Sequence, residues 1–325
     1  MTRVSGILSA GLVAALVFSL LLGSVPLPLD RILGAIAFQA SEGDQLLVWQ
    51  IRLPRSIAAA VVGAALGMSG AALQGLLRNP LAEPGILGVS ATAALFATFV
   101  LYFRLVTAGP LVLPIAAVSG ALLATLVVAA AALRNRSVVT LILIGVGLSS
   151  FSAALMALLM NLAPDPFSLS DMVNWMLGTV ANRSFEDIAF SAPFLIAGIA
   201  IMLLTRRGLS ALTLGEEMAE GLGLNLKMQR LGVIAGAGLA TGAAVALAGS
   251  IGFVGIVAPH IVRPFVRYDP ARLLIPSAIL GALLLVLADV GVRLLPTDNE
   301  LKLGVVASLI GAPIFVWIAS RRRLA

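Results

Sequence analysis

Ten stretches of this chain are apolar for long enough to cross a membrane: near 5–25, 54–74, 85–102, 111–132, 138–161, 188–205, 229–249, 251–267, 274–293 and 303–320. A helix needs roughly 20 apolar residues to span the hydrocarbon core. In lipid the backbone must satisfy its own hydrogen bonds, so runs of this kind are confined to helices. The reading is therefore an all-α polytopic membrane protein with about ten transmembrane helices in one domain over residues 1–325, in contact with membrane lipid. Composition matters at one point: only 11% of residues are charged, against about 25% in a soluble domain. Such a chain cannot clothe a water-exposed surface. The first run follows a lone Arg3 and is trailed by Ser24-Val25-Pro26, with no small-residue cleavage site, so it reads as a first span and not a removed signal peptide. The span boundaries are softest from Gly249 to Gly255, where no charge marks a break.

Ten spans put both termini on the same side, and the basic residues choose which. With the termini inside, the inner segments hold Arg3, Arg78, Arg134, Arg136, Arg206, Arg207, Lys227, Arg230, Arg263, Arg267, Arg272, Arg321, Arg322 and Arg323, which is 14 of the 21 Lys and Arg. The outer segments hold the other 7. This bias predicts cytoplasmic termini. The net charge of +6 follows the same rule and is not a nucleic-acid footprint, so no nucleic-acid partner is expected.

The charged island 206–230 then lies in the cytoplasm, between the sixth and seventh spans. Thr213 precedes Glu216 by three residues, a capping-box spacing. Glu216 and Glu217 fall in the first turn, where the helix dipole favours acids. Met218, Ala219 and Leu222 follow at helical spacing on one side, and Gly221 and Gly223 stop the helix after about two turns. A short capped amphipathic helix between two spans is either a turn resting on headgroups or a handle for a soluble partner. A second short helix is expected outside, where Ser170 to Leu177 would carry Trp175 to headgroup depth.

Glycines recur at close helical spacing, at Gly63, Gly67 and Gly70 and again at Gly232, Gly236, Gly238 and Gly242, and predict tight helix contacts. The turn Asn79-Pro80-Leu81-Ala82-Glu83-Pro84-Gly85 breaks a helix twice; it is either a cytoplasmic hairpin packed on other loops or part of a pathway. His260, the only histidine, reads as a structural hydrogen-bonding residue, with a proton relay as the alternative. Asp289 is the one acid placed inside a span, with Arg293 a turn later as its natural partner in an ion pair. Arg52 and Arg55 lie on the side where the positive-inside rule disfavours them. They read as headgroup-snorkelling residues or as cations kept for an external acidic partner.

The chain has no cysteine. It shows no nucleophile–base pair, no paired carboxylates and no zinc spacing, so no catalytic residue, cofactor or metal is expected. A phosphate-loop pattern is absent too, so the chain does not hydrolyse ATP itself. A pathway walled by Ala, Leu, Val and Gly could pass a bulky solute without trapping it. An ion-coupled secondary carrier is the rival class; it would need polar groups at mid-membrane, where only Asp289 qualifies.

Several blocks resemble the FecCD-type permease family, the membrane subunits of ABC importers for iron–siderophore, haem and cobalamin. They are Arg52-Leu53-Pro54-Arg55, Ser69 to Gln74, Arg78 to Gly88, Gly252 to Arg263, Leu214 to Gly223, Ala288 to Arg293 and Gly311-Ala312-Pro313. The resemblance covers nearly the whole chain. It implies the type II ABC importer permease fold in the inner membrane, a homodimer, two cytoplasmic ATPase subunits and a periplasmic substrate-binding protein. It implies that Leu214, Gly215, Glu216, Ala219, Leu222 and Gly223 belong to coupling helices seated on the ATPase. It aligns Arg52, Arg55 and Arg293 with arginines that pair with binding-protein glutamates. It aligns Ser137, Val138 and Val139 with the cytoplasmic gate, where the two valines depart from the small hydroxyl residues of the cobalamin importer. Asn299 to Gly304 departs from the usual Glu-Leu-Pro-x-Gly.

Overall fold

The structure, a computed structural model, describes residues 3–23, 27–134, 137–295 and 300–321. Arg136, Asp298, Asn299, Arg322, Arg323 and the Ser24-Val25-Pro26 segment lie outside the described residues.

Among the described residues the chain forms helices α1 (Arg3–Leu21), α2 (Leu29–Ile36), α3 (Glu42–Leu46), α4 (Leu53–Leu77), α5 (Val89–Tyr102), α6 (Val112–Arg134), α7 (Val138–Asn161), α8 (Pro166–Met176), α9 (Phe185–Ala211), α10 (Glu216–Gly221), α11 (Leu226–Ala248), α12 (Val254–Val262), α13 (Pro270–Leu294) and α14 (Leu303–Arg321). Each of the ten expected spans has its helix. Seven are long and apolar enough to cross a membrane by themselves, counting α4 together with the turns that lead into it. The other three, Val89–Tyr102, Val254–Val266 and Leu303–Val316, are shorter. The first two follow irregular, largely covered backbone: a 3-10 turn at Pro84–Leu87 before α5, and Gly249 to Phe253 before α12. Non-helical backbone at that depth is tolerated only where protein surrounds it.

α4, α11 and α13 form the centre, with most of each helix buried, while α1, α7 and α9 expose apolar faces. What lets the central helices meet is the absence of side chains. A Cβ on Gly63 would lie 2.2 Å from the Gly281 carbonyl oxygen, on Gly67 2.2 Å from that of Ser277, and on Gly70 1.9 Å from that of Gly255. The expected glycine face of the second span is thus a backbone-to-backbone seam against α13 and α12. Without a hydrophobic driving force in lipid, close van der Waals packing of this kind is what associates helices.

The Asn79–Gly85 turn is a packed hairpin. Gln74 Nε2 donates to the carbonyls of Ala82 and Gly255, 3.2 Å each, and the Glu83 carboxylate accepts the Phe253 amide at 3.3 Å. Trp175 corrects an expectation. Its helix, α8, packs on α5, and the indole is buried in the main core instead of facing lipid headgroups.

The start of α8 carries a pH prediction. Asp165 caps the helix, accepting the Phe167 and Ser168 amides at 3.0 Å and the Ser168 hydroxyl at 2.7 Å, and Arg104 pairs with it. The Ser168 hydroxyl and amide, and after them Arg104, hold this carboxyl well below the usual carboxylate range against the opposing effect of desolvation. A depressed folded-state pKa stabilises the fold above the ordinary value of 3.8 and is lost as pH falls through the folded value. In a background where Trp175 is the remaining tryptophan, its emission should stay constant from neutrality down to about pH 4 and shift only in stronger acid. Asp165→Ala should show the shift already at neutrality. An emission that moves between pH 7 and 5 in the parent would contradict the assignment.

Candidate functional site

One end of the bundle carries α10. The chain leaves α9 through a 3-10 turn, Leu212–Leu214, and reverses at Gly215, whose φ of +97° strains any residue with a side chain. Gly215 is therefore the N-cap of α10, with no side-chain cap. Thr213 is not the cap: its hydroxyl donates to the Ser210 carbonyl. The capping-box spacing was present, but the turn needed at Gly215 points Thr213 back along α9. The helix lasts six residues and ends before Gly223 at φ +88°. Asn225 then caps α11 by accepting the Met228 amide at 3.1 Å.

The faces of α10 differ from the expected arrangement. Met218 and Leu222, four residues apart, point outward at 58% and 66% exposure, joined by Leu214 at 62%. Ala219 is turned into the bundle and buried, because it lies about 100° around the helix from Met218. The outward stripe is thus apolar and flanked by Glu216 and Glu217, beside an open cleft of about 630 Å³ that Arg78, Leu214, Glu217 and Met218 help to line. Beneath it Arg230, 3% exposed, donates to Glu216 Oε1 at 2.8 Å. That pair joins α10 to α11 and was not anticipated. The two opposite charges fourteen residues apart across the loop were its only sign.

Ser137, Val138 and Val139 open α7. Ser137 is its N-cap without a side-chain bond and is exposed; Val139 is exposed and Val138 packs partly on the core. Val139, Leu143, Val146 and Phe151 stand exposed on the outer side of α7, with Gly147 and Ser150 exposed among them.

The opposite end carries Arg52, Arg55 and Arg293, and here the structure departs from the snorkelling arrangement weighed for Arg52 and Arg55. Arg52 and Arg55 are buried, and the side chain of Arg293 nearly so. Arg52 donates to the carbonyls of Leu20 and Leu21 at the end of α1. Arg55 Nη2 meets Asp289 Oδ1 at 2.8 Å and its Nε the same oxygen at 2.9 Å, while its other edge pairs with Glu300. Arg293 Nη2 lies 3.0 Å from Asp289 Oδ2 and pairs with the Ser19 hydroxyl. The Asp289–Arg293 ion pair is as expected; the second arginine on Asp289 is not. Burial was missed because the positive-inside rule reports the side of a charge, not its depth. No group of three His, Cys, Asp or Glu among the described residues could hold a metal ion.

A glycine-packed bundle of apolar helices, with a short amphipathic helix at one end and a largely buried ion cluster at the other, defines a multi-pass membrane protein. The chain matches the profile of the FecCD transport family over residues 11–321. It is 42% identical over 281 residues to the vitamin B12 import system permease protein BtuC of Vibrio cholerae, covering 86% of this chain and 84% of that one. It is 41% identical over 281 residues to an ABC transporter permease, YvrB, of Bacillus subtilis, covering 85% and 79%. Among solved structures, an inward-facing metal-chelate type ABC transporter superposes with a TM-score of 0.89 at 31% identity, covering 98% of this chain and 99% of that one. The chain belongs to the FecCD transport family, and it has the fold of an ABC transporter permease.

Proposed function

We propose that this chain is the permease subunit of an ABC importer of the inner membrane that passes a bulky metal chelate, cobalamin or an iron chelate, from periplasm to cytoplasm. Its vitamin B12 relatives and its metal-chelate structural neighbour support that cargo class. Residues 1–325 act as one transmembrane domain, paired with a second copy, with both termini in the cytoplasm as the arginine bias favours. ATP is hydrolysed in two separate subunits, and the loop 206–230 couples to them. The observation that carries this reading is the outward stripe Leu214, Met218 and Leu222 on a lever whose root is pinned by Arg230. Ala219 seats that lever in the bundle, and Gly215 and Gly223 make its two reversals. Ser137, Val138 and Val139 line the cytoplasmic gate.

At the far end a binding protein docks, and Glu300 decides how. It is the half-exposed member of the cluster, with 40% of its side chain open, so an external carboxylate reaches Arg55 by displacing it. Asp289 is saturated by Arg55 and Arg293, which leaves it no free oxygen for a coupling ion and removes the main support for a secondary carrier.

The test is a reconstituted complex with its ATPase and binding protein. Gly215→Pro cannot adopt φ +97°, and Glu216→Lys sets a cation against Arg230. Both should lower cargo moved per ATP by about tenfold or more while the subunits remain assembled. Unchanged transport in both would refute the coupling role.

A further inference from the structure

α11 connects the lever to the other end of the molecule. Its 23 residues span about 34 Å at 1.5 Å per residue. Its first turn carries two adjacent buried polar side chains that hold different elements. Arg230 takes Glu216 on α10, at 2.8 Å, and Gln229 Nε2 donates to the Thr205 carbonyl of α9, at 2.9 Å. Gly208 of α9 makes room for the second contact, since a Cβ there would sit 2.2 Å from Gln229 Oε1. The roots of α9, α10 and α11 are therefore one clamped unit.

At its other end α11 stops at Ala248, whose carbonyl accepts the Thr179 amide at 2.7 Å. Gly249, at φ +71°, turns the chain beneath Trp175, where a Cβ would lie 2.4 Å from the Trp175 carbonyl oxygen. The next residues, Ser250 and Gly252, join Met176, Leu177, Gly304 and Ser308 around an open cavity of about 630 Å³. Gly304 closes the junction by donating to the Gly178 carbonyl at 3.2 Å. Ser250, two residues beyond the end of α11, is therefore joined to the lever through that helix and the turn at Gly249, and it lines this cavity.

We propose that Arg230 is the positioning residue that carries displacement of α10 through α11 to the Ser250 wall, so that events on the lever set the accessibility of the cavity. This rests on the reading of α10 as the ATPase seat. The ion pair is a specific link because α10 is short, has no side-chain cap and sets Glu216 directly on a buried cation of α11.

The chain has no cysteine, so Ser250→Cys gives it a single thiol. In the complex reconstituted with its ATPase, the rate of maleimide labelling of this chain is compared with and without ATP plus vanadate. Couplings between sites are typically 5- to 150-fold, so the parent rate should change by about fivefold or more. Arg230→Gln should abolish the change. Arg230→Lys, which keeps a cation, should retain part of it, and the swap Glu216→Arg with Arg230→Glu should restore it. A nucleotide response that persists in Arg230→Gln overturns the proposal alone, and so does a swap that fails to restore it. No response in the parent overturns the ATPase reading of α10 and the proposal with it.

Discussion

Asp289→Ala is expected to cost about 3–5 kcal/mol, the usual penalty for breaking a buried ion pair by removing one partner. Against a total stability of about 5–15 kcal/mol, that is a large part of what holds a domain folded. The reason is the ratio of charges. Asp289 is 1% exposed and faces two guanidiniums, from α4 and from its own helix. Without it Arg293 keeps its Ser19 contacts but loses its counter-charge, and Arg55 keeps only Glu300. Two cations are then left close together in a low-dielectric setting. Asp289→Asn should be intermediate, since the amide oxygen still accepts but carries no charge. Arg293→Met should be the mildest, because Arg55 and Asp289 still balance. The measurement is the temperature at which the detergent-purified chain loses its monodisperse peak. An Asp289→Ala variant that matches the parent would show that the carboxylate contributes no structural charge balance. A stable but inactive Asp289→Ala would revive an ion-coupled role for it.

The number and order of the spans were legible because length and apolarity decide whether a helix can cross a bilayer, and both are local properties. The short helix α10 was legible for a related reason: charges and glycines stand out against an apolar background. What resisted reading was long-range. The partner of Arg55 lies 234 residues away at Asp289, and no spacing rule relates positions on α4 and α13. Thr213 illustrates a different failure. Its spacing to Glu216 satisfied the capping pattern, but the strained reversal at Gly215 decided which way the side chain points. Trp175 failed because aromatic residues near a span end are read as headgroup anchors, whereas α8 folds back onto α5 and buries the ring. Short spans such as α12 were placed correctly but drawn too long, since the apolar run continues through backbone that is not helical.

Gly70→Val should prevent the bundle from assembling, and Gly70→Ala should destabilise it by about 1–3 kcal/mol or more, the range for overpacking a filled core. A methyl at Gly70 would stand 1.9 Å from the Gly255 carbonyl oxygen and 2.7 Å from its Cα, and neither neighbour is a side chain that can rotate away. α4 and α12 would have to separate. That would strip Gln74 of its bond to the same Gly255 carbonyl and loosen the hairpin that Gln74 also holds through Ala82. Gly63→Ala should behave alike, 2.2 Å from the Gly281 carbonyl oxygen. The comparison that gives this force is Gly147→Ala on α7, where nothing lies within 4 Å. There alanine only improves helix propensity, by about 1 kcal/mol, so the same chemical change should be neutral or stabilising. If Gly70→Ala and Gly147→Ala shift the unfolding temperature alike, the close approach of α4 to α12 is not what sets the core. Opposite signs at the two positions would locate the packing energy of the bundle in the seam of backbone contacts along α4.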